Sequence, residues 1–361
     1  MLALFGLFYH FIGGFASGSF YIPYSKVKKW SWESYWIVGG IFSWLIVPPL
    51  AAAITAPGYL ETLLNTDSAT LFYTYLMGLL WGIGGLTFGL SMRYLGMSLG
   101  MAIALGYCSA FGTLIPPIFY EIYGTHGNEK TISEIASTLS GQITLAGVAL
   151  CLIGIAICGK AGTMKEKEMP EDEKKASIKE FNFPKGLLVA TFSGILSAFM
   201  AFGYATGKPI AEATVAKGID PLWQNNPVLV VILLGGLTTN FIWCVYLNLK
   251  NKSASDYTDK QTPLARNYFF SALAGITWYL QFFFYGMGES LFAQTGFGFT
   301  SWTLHMAFII IVSNLWAIYL KEWRGASSAT MRMITLGIVT VILSTVVVGL
   351  GNYMAGATGG H

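Results

Sequence analysis

The chain has 361 residues, of which 54% are hydrophobic and 11% are charged, with a formal net charge of +3. A soluble domain carries about 25% charged residues, so this composition excludes an ordinary soluble protein and indicates a polytopic membrane protein. The 42 glycines are spread along the chain, which suits helices that pack closely within a bilayer.

Long apolar runs follow one another along the whole chain. A membrane-spanning helix needs about 20 mostly apolar residues. By that measure the sequence predicts ten spans, at about 2–25, 33–56, 70–92, 97–120, 139–159, 185–206, 225–249, 266–288, 297–320 and 330–354. The first run lacks a basic leader and a small-residue cleavage site, so we interpret it as an uncleaved span. The predicted fold class is an all-α polytopic membrane protein with ten transmembrane helices.

The basic residues are distributed unequally between the two sides of these spans. If the lysines of residues 26–29 lie in the cytoplasm, 18 of the 21 lysines and arginines fall on that side. The other side keeps Lys130, Lys208 and Lys217. The positive-inside rule then predicts that both termini lie outside, which agrees with an even number of spans.

The longest polar stretch, residues 160–185, lies near the middle of the chain and is rich in Glu and Lys. It predicts a solvated linker with five spans on each side. Two five-span units are oppositely oriented in the membrane, as in the inverted repeats of many secondary transporters. We therefore predict a first repeat at 1–160, a cytoplasmic linker at 161–184 and a second repeat at 185–361. A weak internal similarity agrees, since Trp81 and Trp278 each precede an aromatic–glycine pair at the same spacing.

Three ionisable residues in apolar runs are candidates for function, because charge inside a bilayer is costly. His10 lies in the first run, His305 in the ninth, and Glu33 at the inner end of the second. Glu33, with His10, is a candidate proton-coupling group. The alternative for Glu33 is a first-turn carboxylate that stabilises the helix dipole, with Ser31 as the N-cap. The histidines could instead form hydrogen bonds to neighbouring helices.

A second group of candidates combines amides with aromatic rings. Aromatic faces stack on the C–H face of a sugar and amides bind its hydroxyls. Interhelical hydrogen bonds and lipid contacts are the alternative. Including the histidines, the predicted substrate-binding residues are His10, Trp81, Asn240, Trp278, Tyr279, Gln281, Trp302 and His305.

Two further interpretations concern the membrane interfaces. Trp30, Trp32 and Trp36 fit an interfacial aromatic belt, and Lys208 fits a side chain that extends to the outer headgroups.

Several motifs are absent from the sequence. It contains no Walker A, HExxH, GxSxG or TVGYG motif, so we expect no ATP-driven transport, no enzyme activity and no potassium-type filter. The four cysteines lie in apolar runs without metal-ligand spacing, which favours a packing role. We expect no metal, no cofactor and no nucleic-acid partner.

Several stretches resemble a known family, the L-rhamnose–proton symporters of the drug/metabolite transporter superfamily. They are FYIPYSKVKKWSWESYWIVGGIFSW (20–44), WGIGGLTFGLSMRYLGMSLG (81–100), GKPIAEA (207–213), GIDPL (218–222), WYLQFFFYGMG (278–288), SWTLHM (301–306) and LKEW (320–323). The resemblance implies ten helices in two inverted halves, periplasmic termini and a bacterial inner-membrane location. It also implies proton-coupled uptake of L-rhamnose, and of L-lyxose or L-mannose.

His10, Glu33, Trp81, Gln281 and His305 fall within the matching helices or motifs. The chain differs from the expected pattern at Glu289 and in longer, more acidic connections at 120–139 and in the central linker. Two other functions stay open at this point. One is an exporter or uncoupled exchanger of another metabolite, and the other is an intramembrane enzyme or a sensor that does not transport.

Overall fold

The computed structural model describes residues 2–95, 97–124, 130–168, 183–294, 298–319, 323 and 325–358. Within these residues the protein is helical and has no β-strand. The α-helices are α1 Leu2–Ser19, α2 Tyr21–Tyr24, α3 Trp32–Gly40, α4 Val47–Thr55, α5 Tyr59–Leu64, α6 Ser68–Leu95, α7 Met97–Tyr123, α8 Ile132–Ser137, α9 Leu139–Glu168, α10 Phe183–Ser197, α11 Phe199–Thr206, α12 Lys208–Ala216, α13 Asn226–Asn251, α14 Leu264–Ala293, α15 Thr300–Tyr319 and α16 Ser328–Thr358. A π-helix, Ile41–Ile46, joins α3 to α4, and 3₁₀ turns form at Pro221–Trp223 and Ser253–Tyr257.

Eight helical segments of the described chain are long and apolar enough to cross a membrane. They are Leu2–Tyr24, Trp32–Thr55, Ser68–Phe88, Ile103–Ile122, Leu139–Lys165, Pro184–Ala216, Pro221–Asn251 and Ser328–Ala355. The predicted eighth and ninth spans correspond to α14 and α15, which are helices of 30 and 20 residues outside this set of eight. Polar residues such as Arg266, Asn267 and Gln281 lower the hydropathy of α14. The fold is therefore an all-helical, multi-pass membrane protein.

The predicted linker at 161–184 is described only at its edges. Residues 161–168 extend α9, and residues 169–182 lie outside the described part of the chain. Lys174, Lys175 and Lys179, as well as Lys321 and Arg324 elsewhere, also lie outside it.

The π-helix widens the second span where two prolines follow it. Pro48 and Pro49 lack the N–H groups that an α-helix would direct to the carbonyls of Trp44 and Leu45. The Val47 amide instead bonds the carbonyl of Phe42, five residues back. Short π segments often occur at functional sites, and this one places Ser43 and Trp44 in the protein interior.

Helices from the two halves of the chain pack against each other in a regular order. α1 packs on α14 and α15, and α10 packs on α6 and α7. The α3 and π segments pack on α13 and α14, α13 packs on α6, and α9 packs along α16. Close approach depends on glycine at Gly275, where a Cβ atom would overlap the carbonyl group of Gly39.

The largest buried cluster lies in the middle of the bundle and is rich in aromatic residues, including Trp44, Trp81, Tyr279, Phe282 and Tyr285. By contrast, many large apolar side chains are exposed on the outer faces of α13 and α16. An apolar exterior of this kind suits a lipid environment, and it leaves the buried polar side chains in the centre for function.

Candidate functional site

Two histidines from different halves meet in the interior. His10 on α1 and His305 on α15 are both fully buried, and their ring centroids are 6.4 Å apart. The ring of Tyr285 contacts both, at 5.5 Å from His10 and 5.2 Å from His305. All four imidazole nitrogens lack a hydrogen-bond partner. Because unpartnered buried polar groups are costly, these nitrogens are available for a polar ligand.

The backbone of Gln281 and the ring of His305 both approach α1 at Gly13. A Cβ atom there would lie 2.9 Å from the Gln281 backbone carbonyl oxygen and 3.3 Å from His305 Cε1. Gln281 is 3% exposed, and its side-chain Nε2 has no partner. The structure thus packs the helices that carry His10, Gln281 and His305 against one another.

Aromatic rings form the wall beside this polar group. Trp81 and Trp278 both contact Phe282 edge to face, at 5.4 Å and 6.1 Å. Trp302 packs on Tyr285 at 5.4 Å, and its indole N–H donates to the Cys108 carbonyl at 3.0 Å.

One pairing in this wall follows from helix geometry, and one hydroxyl in it is unpartnered. Trp302 and His305, three residues apart, have rings 6.3 Å apart, as the i, i+3 spacing predicts. Tyr279 is 1% exposed, and its hydroxyl has no partner.

Asn240 lies behind this wall. Its Oδ1 accepts a hydrogen bond from the indole N–H of Trp36 at 3.0 Å, and its Nδ2 donates to the Gly236 carbonyl at 2.9 Å. Trp36 also stacks on Tyr24, at 5.9 Å. Both polar atoms of the Asn240 amide are engaged, so its geometry suits positioning of Trp36.

The interfacial-belt interpretation is wrong for Trp30. Trp30 is 7% exposed and packs between Tyr257 and Tyr268, at 5.9 Å and 4.9 Å, because residues 25–36 fold back onto the second half of the chain. Trp32 and Trp36 are half-buried, and for these two the belt stays a prediction.

Glu33 occupies the first turn of α3, as predicted, but the expected cap is incomplete. Ser31 holds the N-cap position with φ −66° and ψ 154°, yet its side chain makes no capping bond. Glu33 as a whole residue is 4% exposed, and its carboxylate accepts hydrogen bonds from Ser253 Oγ at 2.6 Å and Asn251 Nδ2 at 3.0 Å. Partners from the other half of the chain therefore hold this carboxylate.

Further hydrogen bonds join the same two regions. Lys28 N–H donates to Asn267 Oδ1 at 3.0 Å, and Asn267 Nδ2 donates to the Lys28 carbonyl at 2.8 Å. Ser31 N–H donates to Asp256 Oδ2 at 2.7 Å, and Arg266 Nε donates to the carbonyl of residue 26 at 3.0 Å. We call the contact between residues 25–36 and 248–268 the basic-end clamp. It closes the bundle at the end that carries the 26–29 lysines.

The opposite end of the bundle contains a partly open cavity, whose free volume of about 480 Å³ includes the solvent at its mouth. Its lining includes Tyr120, Tyr204, Lys208, Tyr285, Glu289 and Trp302. Tyr285 separates this cavity from the two histidines. Lys208, which is expected to extend to the outer headgroups, is one of the residues that line this cavity, and its reach to the headgroups stays a prediction.

Glu289 is held in this cavity by Asn225, whose Nδ2 donates to Glu289 Oε2 at 2.6 Å. Sequence analysis did not identify Tyr204, Tyr285 or Glu289 as lining residues. The positions of Tyr285 and Glu289 could have been predicted from helical spacing. They lie four and eight residues after Gln281, and therefore on the same face of α14.

Metal binding has no candidate here: no group of three or more His, Cys, Asp or Glu side chains in the described residues could hold a metal ion. All four cysteines are free. Cys108 and Cys151 belong to buried apolar clusters and Cys158 packs on one of them, in agreement with the predicted packing role.

Fold and site together define a multi-pass helical membrane protein that encloses a cavity and unpartnered polar groups between its helices. Residues 2–355 match the family model described as L-rhamnose-proton symport protein (RhaT), and the chain belongs to this family. It is 40% identical over 350 residues to an L-rhamnose-proton symporter of Klebsiella pneumoniae (strain 342), covering 96% of this chain and 97% of the relative. It is 39% identical over 349 residues to a protein of the same description from Escherichia coli (strain SMS-3-5 / SECEC), with the same coverage.

Proposed function

We propose that this protein is a secondary active transporter that takes up L-rhamnose, or a closely related sugar, together with a proton by alternating access. The observation that carries this proposal is the one-sided cavity. It is open opposite the basic-end clamp, and Tyr285 separates it from the unpartnered His10, Gln281 and His305. Relatives about 40% identical over nearly the whole chain are named L-rhamnose-proton symporters, which supports this sugar and this coupling ion.

The proposed location is the bacterial inner membrane, with the basic end in the cytoplasm and both termini in the periplasm. The positive-inside rule supports this orientation, because the 26–29 lysines, Lys250 and Lys252 lie at the clamped end. In that orientation the large cavity opens to the periplasm, where the sugar enters.

We further propose ten transmembrane helices in two inverted five-helix repeats, 1–160 and 185–361, joined by the linker 161–184, as in the drug/metabolite transporter superfamily. The 30 residues of α14 and the 20 residues of α15 are enough to cross a bilayer. The order of packing supports the repeats. The first span packs on the eighth and ninth, and its counterpart, the sixth, packs on the third and fourth.

The sugar is proposed to bind between the halves. His10, Gln281 and His305 would hydrogen-bond its hydroxyls, and Trp81, Trp278, Tyr279 and Trp302 would form the apolar walls that suit a methyl-bearing deoxy sugar. Asn240 would act by holding Trp36.

Proton coupling is proposed at Glu33, together with His10. A protonated Glu33 accepts hydrogen bonds from Ser253 and Asn251 less strongly than the carboxylate does. Proton binding would therefore loosen the basic-end clamp and link proton transfer to opening of the cytoplasmic side.

The test is sugar flux in proteoliposomes of the purified protein. With a higher proton concentration outside, L-rhamnose should accumulate inside, and a protonophore should abolish the accumulation. L-Rhamnose exchange that is independent of the proton gradient would contradict symport and indicate an uncoupled exchanger. Net outward movement of L-rhamnose would indicate an exporter. A thermal-shift series with L-rhamnose, L-lyxose and L-mannose would rank the sugars.

A further inference from the structure

A carboxylate lies in the partly open cavity at the end of the bundle opposite the basic-end clamp. We call this cavity the outer cavity. Glu289 on α14 is half-buried and belongs to its lining. Water at the mouth of the cavity therefore reaches this side chain, and a carboxylate in contact with water exchanges protons with it. In the proposed orientation that water belongs to the periplasm.

Glu289 also lies beside the point where the first histidine meets α14. A Cβ atom at Gly288 would lie 2.7 Å from His10 Nε2. One helical turn before Glu289, the ring of Tyr285 lies 5.5 Å from that of His10 and 5.0 Å from that of Tyr204. The carboxylate is thus within one turn of the two α14 positions that contact His10.

A buried amide holds Glu289 in place. Asn225 is 5% exposed, and its Nδ2 donates to Glu289 Oε2 at 2.6 Å. The same Nδ2 lies 3.2 Å from the Gly286 carbonyl oxygen and 3.1 Å from Ser290 Oγ. Because the donor has other acceptors within reach, the strength of its bond to Glu289 depends on the charge of the carboxylate.

Both ends of α13 are bonded to a carboxylate of another helix. Asn225 immediately precedes α13 and bonds Glu289. Asn251, the last residue of α13, bonds Glu33 at 3.0 Å. The 26 residues of this helix span about 39 Å. A proton on either carboxylate therefore changes how one end of α13 is held.

Several helices direct titratable or charged groups toward Glu289. The lining of the outer cavity contributes Tyr120 on α7, Tyr204 on α11, Lys208 on α12 and Tyr285 on α14. His10 on α1 and His305 on α15 lie behind Gly288 and Tyr285. Among the described lining residues Glu289 is the one acid and Lys208 the one base, so these two set the charge of the cavity.

Closing the outer cavity withdraws Glu289 from water. An ionised carboxylate then loses its hydration, which is costly, whereas a neutral carboxylic acid loses far less. Ionisation therefore opposes closure of this end, and uptake of a proton removes the opposition.

We propose that Glu289 is the proton-uptake residue of the periplasmic side, and that its protonation permits the outer cavity to close. A hydronium ion in the cavity transfers a proton to a carboxylate oxygen of Glu289, which leaves water and a neutral carboxylic acid. That acid holds Asn225 less strongly, and it passes the proton on to His10. Glu289 thus serves the periplasmic side as Glu33 serves the cytoplasmic side. This inference rests on the proposed function.

The experiment measures the initial rate of L-rhamnose uptake by right-side-out vesicles at a fixed internal pH while the external pH is varied. Glu289→Gln removes the titrating group and keeps an acceptor for Asn225, and Glu289→Asp keeps an acid. The matched control is Glu212→Gln, because Glu212 is exposed on α12 at the same end of the bundle. Thermal unfolding in detergent shows that each variant is folded.

We expect the wild-type rate to rise as the external pH falls, and Glu289→Gln to lose this dependence while it still responds to internal pH. Glu289→Asp and Glu212→Gln should keep it. Full dependence on external pH in Glu289→Gln overturns the inference and leaves the proposed function intact. Wild-type uptake that ignores the proton gradient overturns the proposed function and the inference with it.

A second variant tests the same group without replacing it. Lys208→Gln removes a positive charge from the outer cavity, which favours the protonated form of Glu289. The midpoint of the external pH dependence should therefore rise, by about one pH unit. The control is Lys217→Gln, because Lys217 pairs with Glu61 outside this cavity, at 3.1 Å. An unchanged midpoint in Lys208→Gln would overturn the assignment of Glu289.

Discussion

Ser253 Oγ donates a hydrogen bond to Glu33 Oε1 at 2.6 Å, although the two residues are 220 positions apart in the chain. Glu33 lies at the start of the second span, and Ser253 follows the end of the seventh span. This bond joins the two halves of the chain at the basic end, and in the proposed mechanism it links ionisation of Glu33 to closure of that end.

Glu33→Gln tests the role of this carboxylate in proton coupling. The amide keeps the size of the side chain but cannot take up a proton in the physiological range. A one-proton symporter can concentrate its sugar about tenfold for each pH unit of gradient. We expect the variant to equilibrate L-rhamnose without accumulating it, as measured by uptake in proteoliposomes with an imposed pH gradient.

Ser253→Ala is the matched control for Glu33→Gln, because it removes the strongest partner and leaves the carboxylate. It should retain accumulation, with an altered rate. If Glu33→Gln accumulates sugar as well as the wild type does, Glu33 is not the proton carrier.

A disulfide across the basic-end clamp should stop transport. Lys28 and Asn267 exchange two hydrogen bonds, so Lys28→Cys combined with Asn267→Cys places two thiols at the contact between the halves. Oxidation should abolish uptake, and a reducing agent should restore it, because the proposed transport cycle requires this clamp to open.

The control pair for this disulfide is Glu168→Cys with Ser327→Cys. Glu168 accepts hydrogen bonds from Ser327, and the two residues join α9 to α16, which pack along their length. Cross-linking there should leave uptake unchanged. Full transport by the oxidised Lys28–Asn267 pair would show that this contact stays closed throughout the cycle.

His10→Phe should separate binding from stability. Both His10 nitrogens lack a partner in the protein, so replacement by an apolar ring leaves no other group unsatisfied. We expect the thermal midpoint to stay the same or rise, and L-rhamnose affinity to fall about tenfold or more, as for the loss of a buried hydrogen bond. A large loss of stability with unchanged affinity would assign His10 a purely structural role.

Gly275→Ala should destabilise the contact between α3 and α14. The new Cβ atom would overlap the carbonyl group of Gly39, and overpacking of this kind costs about 1–3 kcal/mol. The control is Gly85→Ala, where nothing lies within 4 Å of the added atom. Thermal unfolding in detergent should show a lower midpoint for the first variant only, and equal midpoints would mean that the helices shift apart without cost.

Helix positions could be predicted from the sequence because a bilayer forces the backbone to satisfy its own hydrogen bonds over about 20 apolar residues. The predicted second span, 33–56, is within one residue of Trp32–Thr55. Local spacing also placed Trp302 beside His305, because residues three apart share a helix face. Tyr285 and Glu289 could have been found in the same way from their spacing to Gln281.

The partners of these residues depend on the tertiary structure. Glu33 is bonded to Asn251 and Ser253, and Trp36 to Asn240, across more than 200 positions of sequence. No local pattern encodes such contacts, because they depend on how two halves of the chain pack. Sequence alone therefore determined the membrane class, the helix positions and the family resemblance. Only the packing of the halves decided which polar groups are satisfied in the clamp and which remain unpartnered in the cavities.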